Sequence, residues 1–155
     1  MRKIALCVIA AALIALAAGC CENDTLAAYG DTWGVDLSGG TVLSEENSHG
    51  GFHGDGAALY VVQFEDDTVG AALAENEQWK ALPLSANLNT FVYQPYDSEV
   101  SIPAISHGYY YFYDRQAESG AEQDDDLLLR RASFNFTLAI YDTDTQRLYL
   151  LEYDT

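Results

Sequence analysis

The stretch SFNFTLAIYDTDTQRLYLLEY, residues 133–153, decides the fold. Polar and apolar residues alternate from Ser133 to Tyr141 and again from Arg147 to Tyr153, as they do in β-strands. One face of the first strand carries Phe134, Phe136, Leu138 and Ile140. The residues 142–146 favour a turn, because Asp and Thr side chains bond to nearby backbone groups. The sequence therefore predicts a β-hairpin here.

Weaker signals upstream of the hairpin predict the rest of the sheet. Gly108–Arg115 is almost entirely aromatic and favours a strand, as does Ala57–Glu65, where apolar residues occupy both faces. Asn89–Gln94 predicts a shorter strand between two proline-bearing loops. Val35–Leu37 and Thr41–Ser44, separated by a Ser-Gly-Gly turn, predict a first small hairpin.

One helix interrupts the strands. Asp66-Asp67-Thr68 is typical of a helix start, and apolar residues at helical spacing continue to about Leu82, where Pro83 ends the pattern. Many strands with one clear helix predict an α+β domain. We expect a mostly antiparallel β-sheet with one main helix packed on a face and a C-terminal β-hairpin.

The first twenty residues indicate export. Arg2 and Lys3 precede an uncharged apolar run, Ile4–Ala18, as in a secretory signal. A helix of that length spans roughly 22 Å, which is short of the ~30 Å hydrocarbon core of a membrane. A cleaved signal is therefore favoured over a retained membrane span.

The end of the apolar run carries a more specific motif, Leu16-Ala-Ala-Gly-Cys20. It resembles the lipobox of bacterial lipoproteins, although Ala17 stands where that family more often has leucine. The resemblance implies cleavage after Gly19, a diacylglyceryl thioether on Cys20 and an anchor in a bacterial membrane. Cys21 is the competing position, but cleavage before it would place Cys20 where a small aliphatic residue is expected.

The lipobox sets the predicted domain boundaries. Residues 1–19 form the lipoprotein signal peptide, residues 20–32 are small and polar and indicate a tether, and residues 33–155 form one globular domain. All three cysteines lie at or before position 21, so the exported domain has no internal disulfide. We expect an extracytoplasmic protein that is bound to the membrane through its lipid.

The charge of the chain restricts its partners. Seven Lys and Arg stand against 24 Asp and Glu, for a net charge of −17. Removal of residues 1–19 takes away two cations and no acid, which leaves five cations and a net charge of −19. Such a chain repels phosphate backbones, so we expect no nucleic acid partner. The charge suits plain solubility or a cationic peptide or protein.

The glycine-rich segment His49-Gly-Gly-Phe-His-Gly-Asp-Gly56 holds the densest group of chemically useful side chains. Imidazole and carboxylate are ligands for zinc and other divalent ions, so His49, His53 and Asp55 form a candidate metal site. His107 is a candidate third nitrogen ligand if its strand lies beside this loop. The simpler interpretation, which we favour, is a tight loop whose side chains bond to the backbone.

The run Tyr109-Tyr-Tyr-Phe-Tyr113 gives a second candidate site. Alternate rings face opposite sides of a strand, so Tyr109, Tyr111 and Tyr113 share one face and can form a stacking platform for a sugar or a peptide. The simpler interpretation is that one set of rings fills the core while the other packs beneath a loop.

Three segments also resemble a group of small exported bacterial proteins that have no assigned activity. They are His49–Gly56, Gly108–Arg115 and Asn135–Asp142, the last of which precedes a closing Asp154-Thr155. That resemblance implies no activity. No nucleophile motif marks a catalytic residue. We expect a membrane-anchored, non-enzymatic binding module, and the alternative is a metal-dependent site, such as a hydrolytic one, in the loop from His49 to Asp55.

Overall fold

The structure is a computed structural model that describes residues 25–50, 54–93, 101–117 and 123–155. Helices α1, α2 and α3 span 25–33, Thr68–Ala74 and Ala86–Tyr93. Strands β1 to β6 span Thr41–Asn47, Gly56–Gln63, Lys80–Ala81, Gly108–Asp114, Asn135–Asp142 and Arg147–Asp154. One turn of 3-10 helix covers Leu128–Arg130.

The chain divides into two compact units, Met1–Gly40 and Thr41–Thr155. In the described part of the first unit, α1 ends at Gly34, whose φ of 65° is the left-handed conformation that glycine adopts readily. The Val35 N–H then donates to the Gly30 carbonyl at 3.0 Å and closes the last turn. Leu26 and Trp33 of this helix are buried, and the Trp33 ring lies 5.0 Å from that of Tyr29.

The second unit is built on one six-stranded antiparallel sheet with the order β1-β2-β6-β5-β4-β3. The predicted hairpin of β5 and β6 lies at its centre, and the two strands pair from Asn135 with Asp154 to Asp142 with Arg147. Both strands are buried on both faces, because layers of side chains cover the sheet from each side. The α+β fold with a mostly antiparallel sheet is therefore confirmed.

One face of the sheet holds the main hydrophobic core. The side chains predicted to share a face of β5 lie here, and α3 covers them with Leu88, Phe91 and Val92. The Phe91 ring meets the edges of Phe134 and Phe136 at 5.0 and 5.4 Å, and Phe136 stacks on Tyr153 at 5.6 Å. Edge-to-face and offset pairs at these distances are the stable arrangements of aromatic rings.

The opposite face carries α2. This helix approaches the sheet closely at Gly70, where any added Cβ would overlap the Tyr141 ring and the Asp67 carboxylate. The fully buried Tyr141 donates its hydroxyl hydrogen to Asp67 Oδ1 at 3.1 Å, just before the helix starts. Burial, followed by the hydrogen bond to Asp67, raises the pKa of Tyr141.

Several local predictions are wrong. No strand forms at 35–37, because the chain leaves α1 through Gly34 as a turn, so the predicted first hairpin is absent from the described residues. The helix that begins at Thr68 ends at Ala74 rather than near Leu82. The segment predicted as a strand at Asn89–Gln94 lies mostly in α3, whose N-terminus is capped by Ser85 Oγ accepting from the Leu88 N–H at 3.1 Å.

The amino-terminal boundaries also differ from the prediction. Residues 25–32 of the predicted tether are helical, and the division between compact units falls after Gly40 rather than after residue 32. The predicted signal peptide and Cys20 lie outside the described residues. In the four described ranges, every helix is too short or too polar to cross a bilayer.

Candidate functional site

Polar side chains collect at one end of the sheet, where four strands finish side by side. Gly56, Asp154 and Asn135 are neighbours across β2, β6 and β5. Arg115 follows β4 directly, and its backbone N–H donates to the Asn135 carbonyl at 2.8 Å. His49, which follows β1, reaches Asp154 from the other side. We call Asn47, His49, Arg115, Asn135 and Asp154 the Asp154 cluster.

His49 is bonded through both of its ring nitrogens. Its Nε2 lies 3.0 Å from Asp154 Oδ2, and its Nδ1 lies 2.9 Å from Asn47 Oδ1. The Asn47 atom is the amide oxygen, because it also accepts the backbone N–H of His49 at 2.9 Å. Both ring nitrogens of His49 are therefore occupied by side-chain oxygens of its neighbours.

This bonding bears on the metal hypothesis. A metal ligand must offer the lone pair of an unprotonated ring nitrogen. Both ring nitrogens of His49 face the oxygens of Asn47 and Asp154, so in this arrangement neither is directed at an ion. The neighbouring Ser48 hydroxyl is a candidate nucleophile, but its Oγ is bonded to the backbone of Ala57. Among the residues that the structure describes, the His49 ring therefore does not activate Ser48 as a nucleophile.

The guanidinium group of Arg115 contacts several groups of β5 and β6. Its NH2 group bonds Asp154 Oδ1 and the Tyr153 carbonyl, the latter at 3.3 Å, while NH1 donates to Thr137 Oγ1 at 2.9 Å. Glu152 lies 3.8 Å away and adds a second carboxylate. The Arg115 side chain is only 28% exposed, so these contacts are better shielded from solvent than an ordinary surface pair.

Asn135 completes the cluster beside an open cavity. With its amide NH2 turned toward Asp154, Asn135 donates to Asp154 Oδ1 at 3.1 Å and accepts from Gln116 Nε2 at 2.8 Å. The cavity has a volume of about 600 Å³ and is lined by Gly54, Asp55, Arg115, Asn135, Asp154 and Thr155. Asp55, a predicted metal ligand, therefore does lie near His49, whereas His53 lies outside the described residues.

The prediction that His107 joins His49 is wrong. His107 precedes Gly108, which pairs with Asp142, whereas the Asp154 cluster lies at the Asn135 end of the same strand. The length of β5 separates them, about 24 Å at roughly 3.4 Å per residue. His107 Nδ1 instead lies 2.8 Å from Asp144 Oδ2 on the surface. The hydrogen bond and charge of Asp144 raise the pKa of His107 above its ordinary 6.5.

The three predicted platform tyrosines share a face of β4, but they are unequally exposed. Tyr113 is 44% exposed, whereas Tyr109 and Tyr111 are partly buried. The Tyr111 ring lies 5.9 Å from the buried Trp79 and is stacked alongside Tyr113 at 6.5 Å. Only the Tyr113 end of this row is open, and binding of a sugar or peptide there stays a prediction.

Two further charge clusters involve residues outside the Asp154 cluster, and the first is linked to that cluster through Gln116. Asp114 is 3% exposed and forms an ion pair with Arg131, which also bonds Gln116 Oε1 at 3.0 Å. The acids 124–126, whose carboxylates lie close enough together to share an ion, are partly tied to α3, because Ser85 donates to Asp125. Exposed acidic groups of this kind are usually solvated, and these belong to the capped end of a helix.

Arg115 and Asp154 were missed as site residues by sequence reasoning. Their proximity depends on the pairing of β4, β5 and β6, which brings together residues almost forty positions apart. One usable signal was present: only five Lys and Arg follow residue 19, and a cation at the end of a buried strand in such an acidic chain needs an acidic partner.

Comparisons of the chain with protein-family models, with curated proteins and with solved structures each give no match. The function of the protein therefore has to be inferred from the geometry and charge of its own residues.

Proposed function

We propose that the protein is an exported bacterial lipoprotein, anchored through Cys20, whose acidic domain is a non-enzymatic binding module for a cationic peptide or protein. One observation carries this proposal. The described side chains that are capable of chemistry in the Asp154 cluster are bonded to one another, whereas the acidic excess of the chain is left for a partner.

The bonding inside the cluster supports a structural role for it. Asp154 accepts from His49 and Arg115, and the remaining Arg115 donors meet Thr137 and the Tyr153 carbonyl. A general base or metal ligand needs a lone pair that is directed toward substrate or ion. Here the carboxylate and imidazole hold strand ends together, as satisfied polar groups in a fold do.

The placement of the cations supports the binding role. Of the five Lys and Arg beyond the predicted signal, three are engaged within the domain: Arg115 with Asp154, Arg131 with Asp114, and Arg147 with Gln63 Oε1 at 2.9 Å. Two of these cations, Arg115 and Arg131, neutralise partly buried acids. The field at the surface is therefore strongly negative, which attracts and steers cationic partners.

The anchor is tested on the full chain expressed in a bacterium. Cys20→Ser should abolish incorporation of labelled fatty acid and release the protein from the membrane fraction. Cys21→Ser is the matched control and should leave both unchanged. Labelling that follows Cys21 instead, or that is absent from the unmodified chain, would overturn the lipid anchor.

The binding role is tested by capture from cell-surface material, with identification of the captured proteins by mass spectrometry. We expect a basic peptide or protein that binds in a 1:1 ratio at low salt and is released as salt rises, because screening weakens exposed charge pairs. No saturable partner at low salt would count against the binding role.

The metal-dependent alternative keeps one favourable observation, which is that Asp55 and Asp154 line the same cavity. It predicts a bound or bindable divalent ion that is lost in His53→Ala, with His107→Ala as the matched control at the far end of the sheet. Elemental analysis of the purified chain decides it, and an equal metal content in the two variants would remove it.

A further inference from the structure

The two edges of the sheet differ sharply. One edge, β3, has only two residues and offers almost no backbone for pairing. The other edge, β1, has seven residues, of which all but Val42 are exposed. A long exposed edge strand presents unpaired N–H and C=O groups to any extended chain that approaches it. In the described part of the sheet, β1 is therefore the edge suited to accept a further strand.

The outward backbone groups of β1 can be assigned. The Ser48 N–H donates to the Ala57 carbonyl at 2.9 Å, so the backbone of Ser48 is directed toward β2. N–H and C=O groups alternate sides along a strand. The regular pairing below the bulge at Leu43 places Glu46 toward β2 and leaves the groups of Glu45 and Asn47 directed outward.

The side chains along this edge carry negative charge on both faces. Glu45 lies opposite Tyr60 on one face and Glu46 lies opposite Leu59 on the other. Glu45 forms a hydrogen bond with Tyr60, and burial followed by the nearby Glu45 and Glu152 carboxylates raises the pKa of Tyr60. A basic side chain on an added strand would meet a carboxylate on either face.

We infer that the outer edge of β1 is where this protein binds its partner, by adding an extended, Lys- or Arg-bearing peptide segment as a seventh strand. The inference rests on the proposed binding function and names the surface and chemistry of that binding. Backbone hydrogen bonds at Glu45 and Asn47 hold the segment, and pairing with Glu45 and Glu46 selects positive charge.

The same features disfavour a second copy of the chain as the occupant. Two β1 strands placed edge to edge would bring the Glu45-Glu46 pair of one copy beside that of the other, and like charges opposite each other destabilise strand pairing. The bulge at Leu43 further limits self-pairing by twisting the edge. The negative charge of β1 therefore disfavours pairing with a second copy of the chain and favours pairing with a basic segment.

The probe for this inference is an octapeptide of alternating lysine and valine, titrated at low salt into the detergent-solubilised full chain. Its control is the same peptide methylated on every backbone nitrogen, which keeps the charge and loses every backbone donor. We expect the methylated form to bind at least about tenfold more weakly, since several hydrogen bonds of about 1 kcal/mol each are lost.

Two substitutions at one position separate charge from backbone. Glu45→Gln removes the carboxylate and should weaken binding by roughly two- to fivefold. Glu45→Pro also removes the outward N–H and should weaken it by about a further three- to tenfold. Proline is tolerated at an edge position whose N–H faces solvent, so the fold should survive. Glu65→Gln, an exposed acid outside β1, is the matched charge control and should bind as the unmodified chain does.

Amide hydrogen exchange supplies a readout that does not depend on substitution. On binding, the amides of Glu45 and Asn47 should become protected, whereas that of Glu46 should change little because it already faces β2. Protection elsewhere without protection at Glu45 would overturn the inference.

The outcomes distinguish this inference from the proposed function. Equal binding of both peptide forms, or equal affinity of the Gln and Pro variants, overturns the β1 surface while leaving an electrostatic binding module intact. Dimerisation that Glu45→Pro abolishes also overturns it, in favour of a second copy of the chain. No saturable binding of this peptide, together with no partner captured from cell-surface material, overturns the binding function itself.

Discussion

Asp154→Ala should destabilise the domain measurably, although Asp154 is the last residue of β6 and its side chain is partly exposed. The substitution removes the acceptor for His49 Nε2 and for the Arg115 guanidinium together. A hydrogen bond to a charged group contributes about 1.5–3 kcal/mol when it is well shielded. The three side chains are 23%, 28% and 32% exposed, so screening reduces each contact to about 1 kcal/mol. We expect a loss of about 2 kcal/mol.

The assay is urea unfolding of the full chain, followed by circular dichroism of the sheet. With a slope of about 2 kcal/mol/M, the midpoint should fall by about 1 M at an unchanged slope. Asp144→Ala is the matched control, because it removes the partner of His107 from a pair of similar geometry that is 71% and 63% exposed. That variant should unfold at the same urea concentration as the unmodified protein.

A double-mutant cycle tells a direct contact from a general disturbance. Asp154→Ala and Arg115→Leu should be less than additive, with a coupling of about 1 kcal/mol, because each removes the same ion pair. If Asp154→Ala shifts the midpoint no further than Asp144→Ala does, the cluster does not hold the strand ends together. Its structural role would then be refuted.

Three further perturbations test other parts of the fold. Gly108→Ala should cost about 1–3 kcal/mol, because φ is 144° and the added Cβ would overlap the Tyr141 carbonyl, whereas Gly39→Ala has open space and should be neutral in thermal unfolding. NMR titration should give His107 a pKa above 6.5 that returns toward 6.5 in Asp144→Asn. The His107–Asp144 pair stabilises the fold below pH 6.5, and this stabilisation is lost as the pH rises through the raised pKa of His107. The raised pKa of Tyr141 keeps its hydroxyl neutral in the folded state, so the free energy of unfolding is retained below pH 10 and decreases above it. Tyr141→Phe should reduce this loss of stability when unfolding is measured at alkaline pH.

The central strands could be predicted because their own residues specify them. β5 and β6 alternate over eight residues each, and the aromatic run in β4 has few alternatives to a strand. α3 could not be predicted in the same way, because Thr90, Phe91, Val92 and Tyr93 favour strands locally. The cap from Ser85 and the helical spacing of Leu88, Phe91 and Val92 against the core outweigh that preference.

The candidate site was predicted in part for a different physical reason. The loop around His49 and Asp55 was identified from residue types alone, and the structure does place both near a polar cavity. Their partner Asp154 is 105 residues from His49 along the chain. Nothing local encodes that distance, because it follows from the register of β2 against β6. The pairing of β4 with β5 places His107 at the opposite end of the sheet from His49, so the sequence could not show that the two histidines lie apart.

The positions of the acidic residues in the fold therefore explain more about this protein than its total net charge does. Two partly or fully buried acids obtain cations from within the domain, because Asp114 pairs with Arg131 and Asp154 pairs with Arg115. Two of the five Lys and Arg that follow residue 19 are therefore engaged in these ion pairs. Glu45 of β1 is hydrogen-bonded to Tyr60, but the ion pairs of the described residues include neither Glu45 nor Glu46, and their mutual repulsion opposes folding slightly. A cationic strand at this edge would relieve that repulsion, so the partner's charge is predicted by what the fold leaves uncompensated.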